Sequence, residues 1–171
     1  IKAAAASPEA APDVRPIGIG ECLLRAIHSN VAEQHKGAFG EHFWPQQVAV
    51  GIPGGLSLLI LGIQLVLEMR PDFVVVKLDL RNAYNELKRS AVLARLNAAE
   101  GLRDLVPLTW ATCHVAPEVF LAHNGATPAG YLSAEGVRQG DPLASAQFCA
   151  AIHPEVCQLD SELGPAGGSA R

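Results

Sequence analysis

No two cysteines stand in a C-x-x-C pair, and none of Cys22, Cys113, Cys149 and Cys157 lies at a zinc-type spacing from a histidine. An ordinary zinc module is thereby excluded. The four thiols are expected to be reduced and mostly packed, which suits an intracellular compartment, nucleus or cytoplasm. Cys113 and His114 are adjacent, but nothing near them in sequence supplies an orienting partner for a nucleophile. Long apolar runs are also missing. The most apolar stretch, Leu56 to Leu67, is 12 residues with Gln64 inside it, too short to span a bilayer and unlike a signal peptide, so no membrane partner is expected. There is no basic excess either: the formal net charge is −4, with 9 Lys+Arg against 9 Asp+Glu in residues 1–90 and 4 against 8 in residues 91–171. Net charge therefore gives no general case for nucleic acid, and the local cluster Arg81, Lys88 and Arg89 reads as a solvated helix start on charge alone. No internal repeat is visible, and there is no initiator methionine.

What is present is a globular composition, 49% hydrophobic and 18% charged over 171 residues, enough for one core of ordinary size. The Ala/Pro-rich residues 1–13 read as a low-complexity lead and 164–171 (GPAGGSAR from Gly164) as a tail, leaving 14–163 as the ordered part of a larger protein. Along that part, Val14 to Gly20 reads as extended because Pro16 pushes Arg15 out of helical angles. Leu23, Leu24, Ile27 and Val31 have helical spacing and predict a helix over 21–34. His28, His35 and His42 recur every seven residues, but Gly37 and Gly40 are expected to interrupt any helix between the last two, so no metal-binding face follows. Val48 and Val50 suggest a brief strand. Gly54 and Gly55 open a helix running to Met69 that is apolar on nearly every side and so expected to be buried.

Pro71 closes that helix, and Phe73 to Leu78 (FVVVKL) then reads as a strand buried on both faces. Alternation places Val75, Lys77 and Asp79 on one face, with Asp79 at the strand's end. An unpaired charge is costly to bury, so Asp79 either pairs with Lys77 or a nearby arginine, or holds a cation; an aspartate that merely starts a turn is the plain alternative. A turn over 82–87 leads to helices near 90–99 and 102–114. Glu118–Ala122 and Gly130–Ser133 predict a hairpin, and Pro142 begins a helix towards Leu163. The order gives an α+β fold with a mixed or antiparallel sheet packed against helices, not a doubly wound one.

Four segments in this order resemble the reverse transcriptase family, particularly enzymes of retrotransposons without long terminal repeats: VRPIGIG at 14–20, VAVGIPGG at 48–55, KLDLRNAYNELKRSAVL at 77–93 and SAEGVRQGDPLASAQF at 133–148. The specific signal is D-x-x-x-A-Y, Asp79 to Tyr84, followed by G-V-x-Q-G-D-P-L from Gly136, 57 positions after Asp79. The resemblance implies the fingers and first part of the palm of a right-hand polymerase that adds dNMPs to a primer 3′ end, with RNA template, DNA primer and dNTP as partners and Mg²⁺ as cofactor. By the same resemblance Asp79, with the backbone carbonyl of Leu80, holds the metal. Leu80, Arg81, Asn82 and Ala83 then face the nucleotide triphosphate, Tyr84 excludes a 2′ hydroxyl, Arg15 lies along the phosphates, and Gln139 and Gly140 contact the incoming nucleotide or the template. Asp141, just before Pro142, reads instead as a helix cap.

The sequence departs from the family pattern in two ways. No Tyr/Phe-x-Asp-Asp segment follows the last motif, so a two-metal site is not completed and these 171 residues alone are expected to be inactive. Ala144 and Ser145 stand where many relatives have Gly-Pro. A catalytically inactive remnant that binds nucleic acid or protein is the alternative reading. Oligomeric state is not legible.

Overall fold

In a computed structural model, residues 20–120 and 130–163 are described; the expected extended segment at 14–19, including Arg15, and the expected lead and tail lie outside them. The chain folds mainly as helices: α1 (Cys22–Gln34), α2 (Lys36–Phe43), α3 (Gly55–Met69), a single turn α4 (Ala83–Glu86), α5 (Arg89–Ala98), a 3₁₀ segment (Glu100–Leu105), α6 (Val106–Cys113) and α7 (Ala144–Leu163). One antiparallel hairpin, β1 (Glu118–Phe120) with β2 (Gly130–Leu132), pairs Val119 opposite Tyr131. Local chemistry accounts for several boundaries. The Glu21 carboxylate accepts the Leu24 amide at 2.9 Å and caps α1. Pro71 follows the end of α3, where Arg70 pairs with Asp72 at 2.9 Å and lies 4.2 Å over the Phe73 ring.

The core sits where α5 lies on α7, closed by α2 and the 3₁₀ segment; Phe43, Val92, Leu96, Leu102 and Leu143 are its largest fully buried side chains. Gly37 and Gly40 do not interrupt the helix there, since α2 runs through both and the break falls at His35. Gly51, with φ 81°, passes directly against Gly40, and it is Gly51 that must be bare: a Cβ there would strike the Gly40 nitrogen, whereas one on Gly40 would stand 3.2 Å from the Gly51 carbonyl oxygen.

Three expectations are corrected. Residues 48–50 form bends, not a strand. α3 is not buried: of its residues only Gly55 is, and the helix makes no extensive contact with any other described element. Residues 73–80 are not a core strand; among the described residues they pair with no strand, and Val74, Val76 and Leu78 are 84%, 76% and 74% exposed. The reason is the same for both apolar segments. Apolar content measures what a segment could bury, and burial also needs an opposing layer, which the described residues do not place against them. An apolar groove of about 410 Å³ lies instead between α3, Trp44 and Phe73–Val75. The expected mixed sheet packed with helices is thus reduced to one hairpin on a helical body. No helix among the described residues is long and apolar enough to cross a membrane.

Candidate functional site

The chain after residue 82 turns on Asn82, whose φ of 56° is left-handed and whose carbonyl accepts the amides of Asn85 and Glu86 at 2.9 and 3.1 Å. Asparagine tolerates that backbone better than most residues, and its side chain also accepts from the Asn85 side chain at 3.1 Å. The resulting turn, α4, aims Tyr84 at α7. The tyrosine hydroxyl lies 3.1 Å from Ser145 Oγ, and its ring stacks on Phe148 with centroids 5.1 Å apart and planes 11° from parallel.

The loop before α7 closes on the same turn through the backbone. The Gly136 amide donates to the Leu87 carbonyl at 2.9 Å and the Val137 amide to the Tyr84 carbonyl at 2.8 Å. Gly136 has φ 78°, and a Cβ there would stand 2.6 Å from the Asn85 carbonyl oxygen, so the junction admits only glycine without movement. Arg89, at the start of α5, donates to the carbonyls of Gly136 and Glu135 and to Ser133 Oγ, at 2.9, 3.2 and 3.1 Å. Burial, with the Arg138 charge nearby, lowers the Arg89 pKa from its usual value. The basic cluster read as a solvated helix start therefore contains one residue, Arg89, that is tied down.

Gln139 and Gly140 form a turn closed by the Asp141 amide on the Arg138 carbonyl at 3.0 Å. Asp141 caps the start of α7, its Oδ1 accepting the Leu143 amide at 2.9 Å, as its place before Pro142 predicts. Both Asp141 oxygens also lie 2.8 Å from His28 Nδ1, and His28 is 2% exposed. Burial alone pushes the Asp141 carboxyl up; the hydrogen bonds from His28 and the Leu143 amide, with the charges of His28 and Arg138, outweigh it and hold the group below the usual carboxylate value. Pro142, Ser145 and Ala146 line a groove of about 330 Å³ together with Val50 and Gly51, so the glycine-rich loop at 48–55 faces the start of α7.

The sequence-selected residues are thus distributed unevenly. Tyr84 and Gln139 are half-buried and belong to segments that touch; Ala83 lies in the turn between them and the exposed Asn82, and Gly140 is exposed with φ 103°. Asp79 and Leu80 are exposed on the irregular segment 73–80, and Arg81 is exposed in the turn that follows it. Asp79 therefore stands at the end of no buried strand, which removes the rigidity expected of it. Among the described residues no three His, Cys, Asp or Glu side chains converge as a metal site. Sequence reading missed His28, Ser145, Phe148 and the role of Arg89. Of these Arg89 lies inside the third motif segment and Ser145 and Phe148 inside the fourth, whereas His28 lies in none.

The chain is 31% identical to the retrovirus-related Pol polyprotein from type-1 retrotransposable element R2 of Popillia japonica, a match covering 90% of this chain and 22% of that protein. The chain thus spans about a fifth of the length of the curated relative, and the similarity supports a retroelement-related protein. No protein-family model and no solved structure matches the chain.

Proposed function

We propose that the chain is the fingers and first palm part of a retroelement RNA-directed DNA polymerase, and that its own contribution is to hold an incoming dNTP against an RNA template and DNA primer. One observation carries the reading. Three of the four motif segments, separated by tens of residues in sequence, meet in space: Tyr84 rests on Ser145 and Phe148, the Val137 amide bonds the Tyr84 carbonyl, and Val50 and Gly51 share a groove with Pro142 and Ser145. Ser145 is the residue common to these contacts, bonding Tyr84 on one side and lining the groove with Val50 and Gly51 on the other, so the motif segments adjoin as parts of one site would. In this reading the Tyr84 ring sets the sugar pocket and rejects a 2′ hydroxyl by bulk, Gln139 and Gly140 meet the nucleotide or template, and Asn82 and Ala83 turn their backbone towards the phosphates. Arg81, exposed beside Asn82, adds positive charge there.

Magnesium is part of the proposal only in a restricted way. Asp79 and the Leu80 carbonyl are hard oxygen donors of the kind that ion takes. Two ions bridging a transferred phosphoryl group need several carboxylates, and the described residues bring no such group together. They do not fit a two-ion centre by themselves. The second reading is a polymerase-like chain that binds nucleic acid or protein without catalysis.

Primer extension by the longer protein that contains this chain tests the first reading. Asp79→Asn is expected to lower extension by about 100-fold or more while template–primer binding is unchanged. Equal extension by both proteins removes Asp79 from the chemistry, and binding without any extension by the unsubstituted protein selects the second reading.

A further inference from the structure

We infer that His28 is a positioning residue for the Gln139–Gly140 turn, acting through Asp141; the inference rests on the nucleotide-binding reading of that turn. His28 belongs to α1, 113 positions away from Asp141, and its ring is almost wholly enclosed. An ionised carboxylate only accepts, so Nδ1 carries the proton and donates to the two Asp141 oxygens. The other ring nitrogen, Nε2, is buried with no hydrogen-bond partner among the described residues. Burying an imidazole with one nitrogen unsatisfied is costly, so the arrangement is not explained by the needs of His28. Asp141 is the beneficiary.

A helix cap requires only one carboxylate oxygen, and the Leu143 amide already uses it. The His28 contact fixes the second oxygen as well, and with it the plane of the carboxylate. The Asp141 backbone amide closes the turn on the Arg138 carbonyl, so a fixed Asp141 leaves Gln139 and Gly140 one way to run. The pair borders a cavity of about 30 Å³ of mixed lining, to which Arg89, Thr109 and Gln147 also contribute. Arg89 holds the other side of the loop at Gly136. The loop from 136 to 141 is therefore tied at both ends, by Arg89 at the first and by His28 at the second.

Two substitutions separate this role from simple packing. His28→Phe keeps the ring and removes the donor; His28→Asn keeps a side-chain N–H at about the place of Nδ1. Amide hydrogen exchange in the whole chain is the readout. Asp141 and Leu143 amides are expected to exchange about tenfold faster in His28→Phe, the loss of one charge-assisted hydrogen bond, and to return towards the unsubstituted rate in His28→Asn. The α5 amides are expected to be unchanged in both. An unchanged rate at Asp141 and Leu143 in His28→Phe, an equal acceleration throughout α5, or no recovery in His28→Asn overturns the assignment. With dGTP, a template–primer and magnesium as probes, His28→Phe is also expected to weaken dGTP binding about tenfold at constant template–primer affinity. An unsubstituted chain that takes up no dGTP overturns the polymerase reading, whereas the exchange rates decide the role of His28 independently.

Discussion

Gly136→Ala tests the junction on which the candidate site depends. The residue has φ 78°, and the added methyl would stand 2.6 Å from the Asn85 carbonyl oxygen and 2.7 Å from that of Tyr84, both backbone atoms that cannot swing aside. Holding alanine in the left-handed region costs about 1–2 kcal/mol. Relieving the contacts means moving the loop, which lengthens the bonds from the Gly136 amide to Leu87 and from the Val137 amide to Tyr84, and the one Arg89 makes to the Gly136 carbonyl. Losing two or three of these at about 1 kcal/mol each brings the expected loss of stability to about 3–5 kcal/mol. Gly37→Ala is the matched control, because a Cβ there meets nothing within 4 Å and the residue is helical, so a gain of about 0.5 kcal/mol is expected. Urea unfolding of the whole chain followed by circular dichroism reads both. A Gly136→Ala protein within about 1 kcal/mol of the unsubstituted chain would show that the two motif segments do not meet as described.

Leu96 is fully buried between α5 and α7, and Leu96→Ala is expected to cost about 2–5 kcal/mol in the same assay; Val76→Ala, at an exposed position, is expected to stay within about 0.5 kcal/mol, and a loss of 2 kcal/mol there would restore the buried strand. The His42 and His153 rings meet between α2 and α7 with centroids 4.8 Å apart and planes tilted by 47°. Burial holds both below the ordinary histidine value, His42 further so by the His153 charge, while a hydrogen bond with His42 partly offsets the effect on His153. Since the unfolded chain then binds more protons, stability is complete above about pH 6.5 and falls as pH drops below it; urea midpoints that do not decline between pH 7.5 and 5.5 would contradict this. On the polymerase reading proposed above, Tyr84→Val in a polymerase that includes this chain is expected to raise ribonucleotide incorporation relative to deoxyribonucleotide, and an unchanged ratio would count against a sugar-excluding role.

What sequence could reveal followed the range of the interactions involved. α1, α3 and α7 are set by signals within a few residues: the Glu21 cap, Gly54–Gly55 and Pro71 around α3, and Asp141–Pro142 before α7. The pairing of Tyr84 with Ser145 and Phe148 was reachable only through the motifs, since nothing local to Tyr84 names its partners. His28 was not reachable at all, because a histidine whose partner is 113 positions away looks in sequence like any other helical histidine. The errors have a different origin. Val48 and Val50 suggest a strand by alternation, and the helix to Met69 and residues 73–78 suggest burial by apolarity, but neither pattern says whether a second layer is present.

The error at 73–78 bears directly on the chemistry. The candidate site rests on two supports of unequal firmness: Tyr84 and the loop at 136–141 are bonded to one another and anchored on the α5–α7 core, whereas Asp79 to Arg81 lie on an exposed segment after α3. A carboxylate that is to hold an ion for phosphoryl transfer must be fixed to within about 0.5 Å, and an unpaired, solvent-exposed segment does not fix it. Ordering the eight residues 73–80 as a strand costs about 1 kcal/mol of backbone entropy each, roughly 8 kcal/mol. Covering Val74, Val75, Val76, Leu78 and Leu80, all exposed, at about 1.5–2 kcal/mol each gives roughly 8–10 kcal/mol in return. The two estimates nearly cancel, so the alternation that reads as a strand is of the size needed to hold Asp79 still, and it acts only once 73–80 gains a neighbour. Tyr84 and the glutamine loop need no such addition, which is why nucleotide selection, and not metal chemistry, is the part of the proposed activity that this chain's own packing supports.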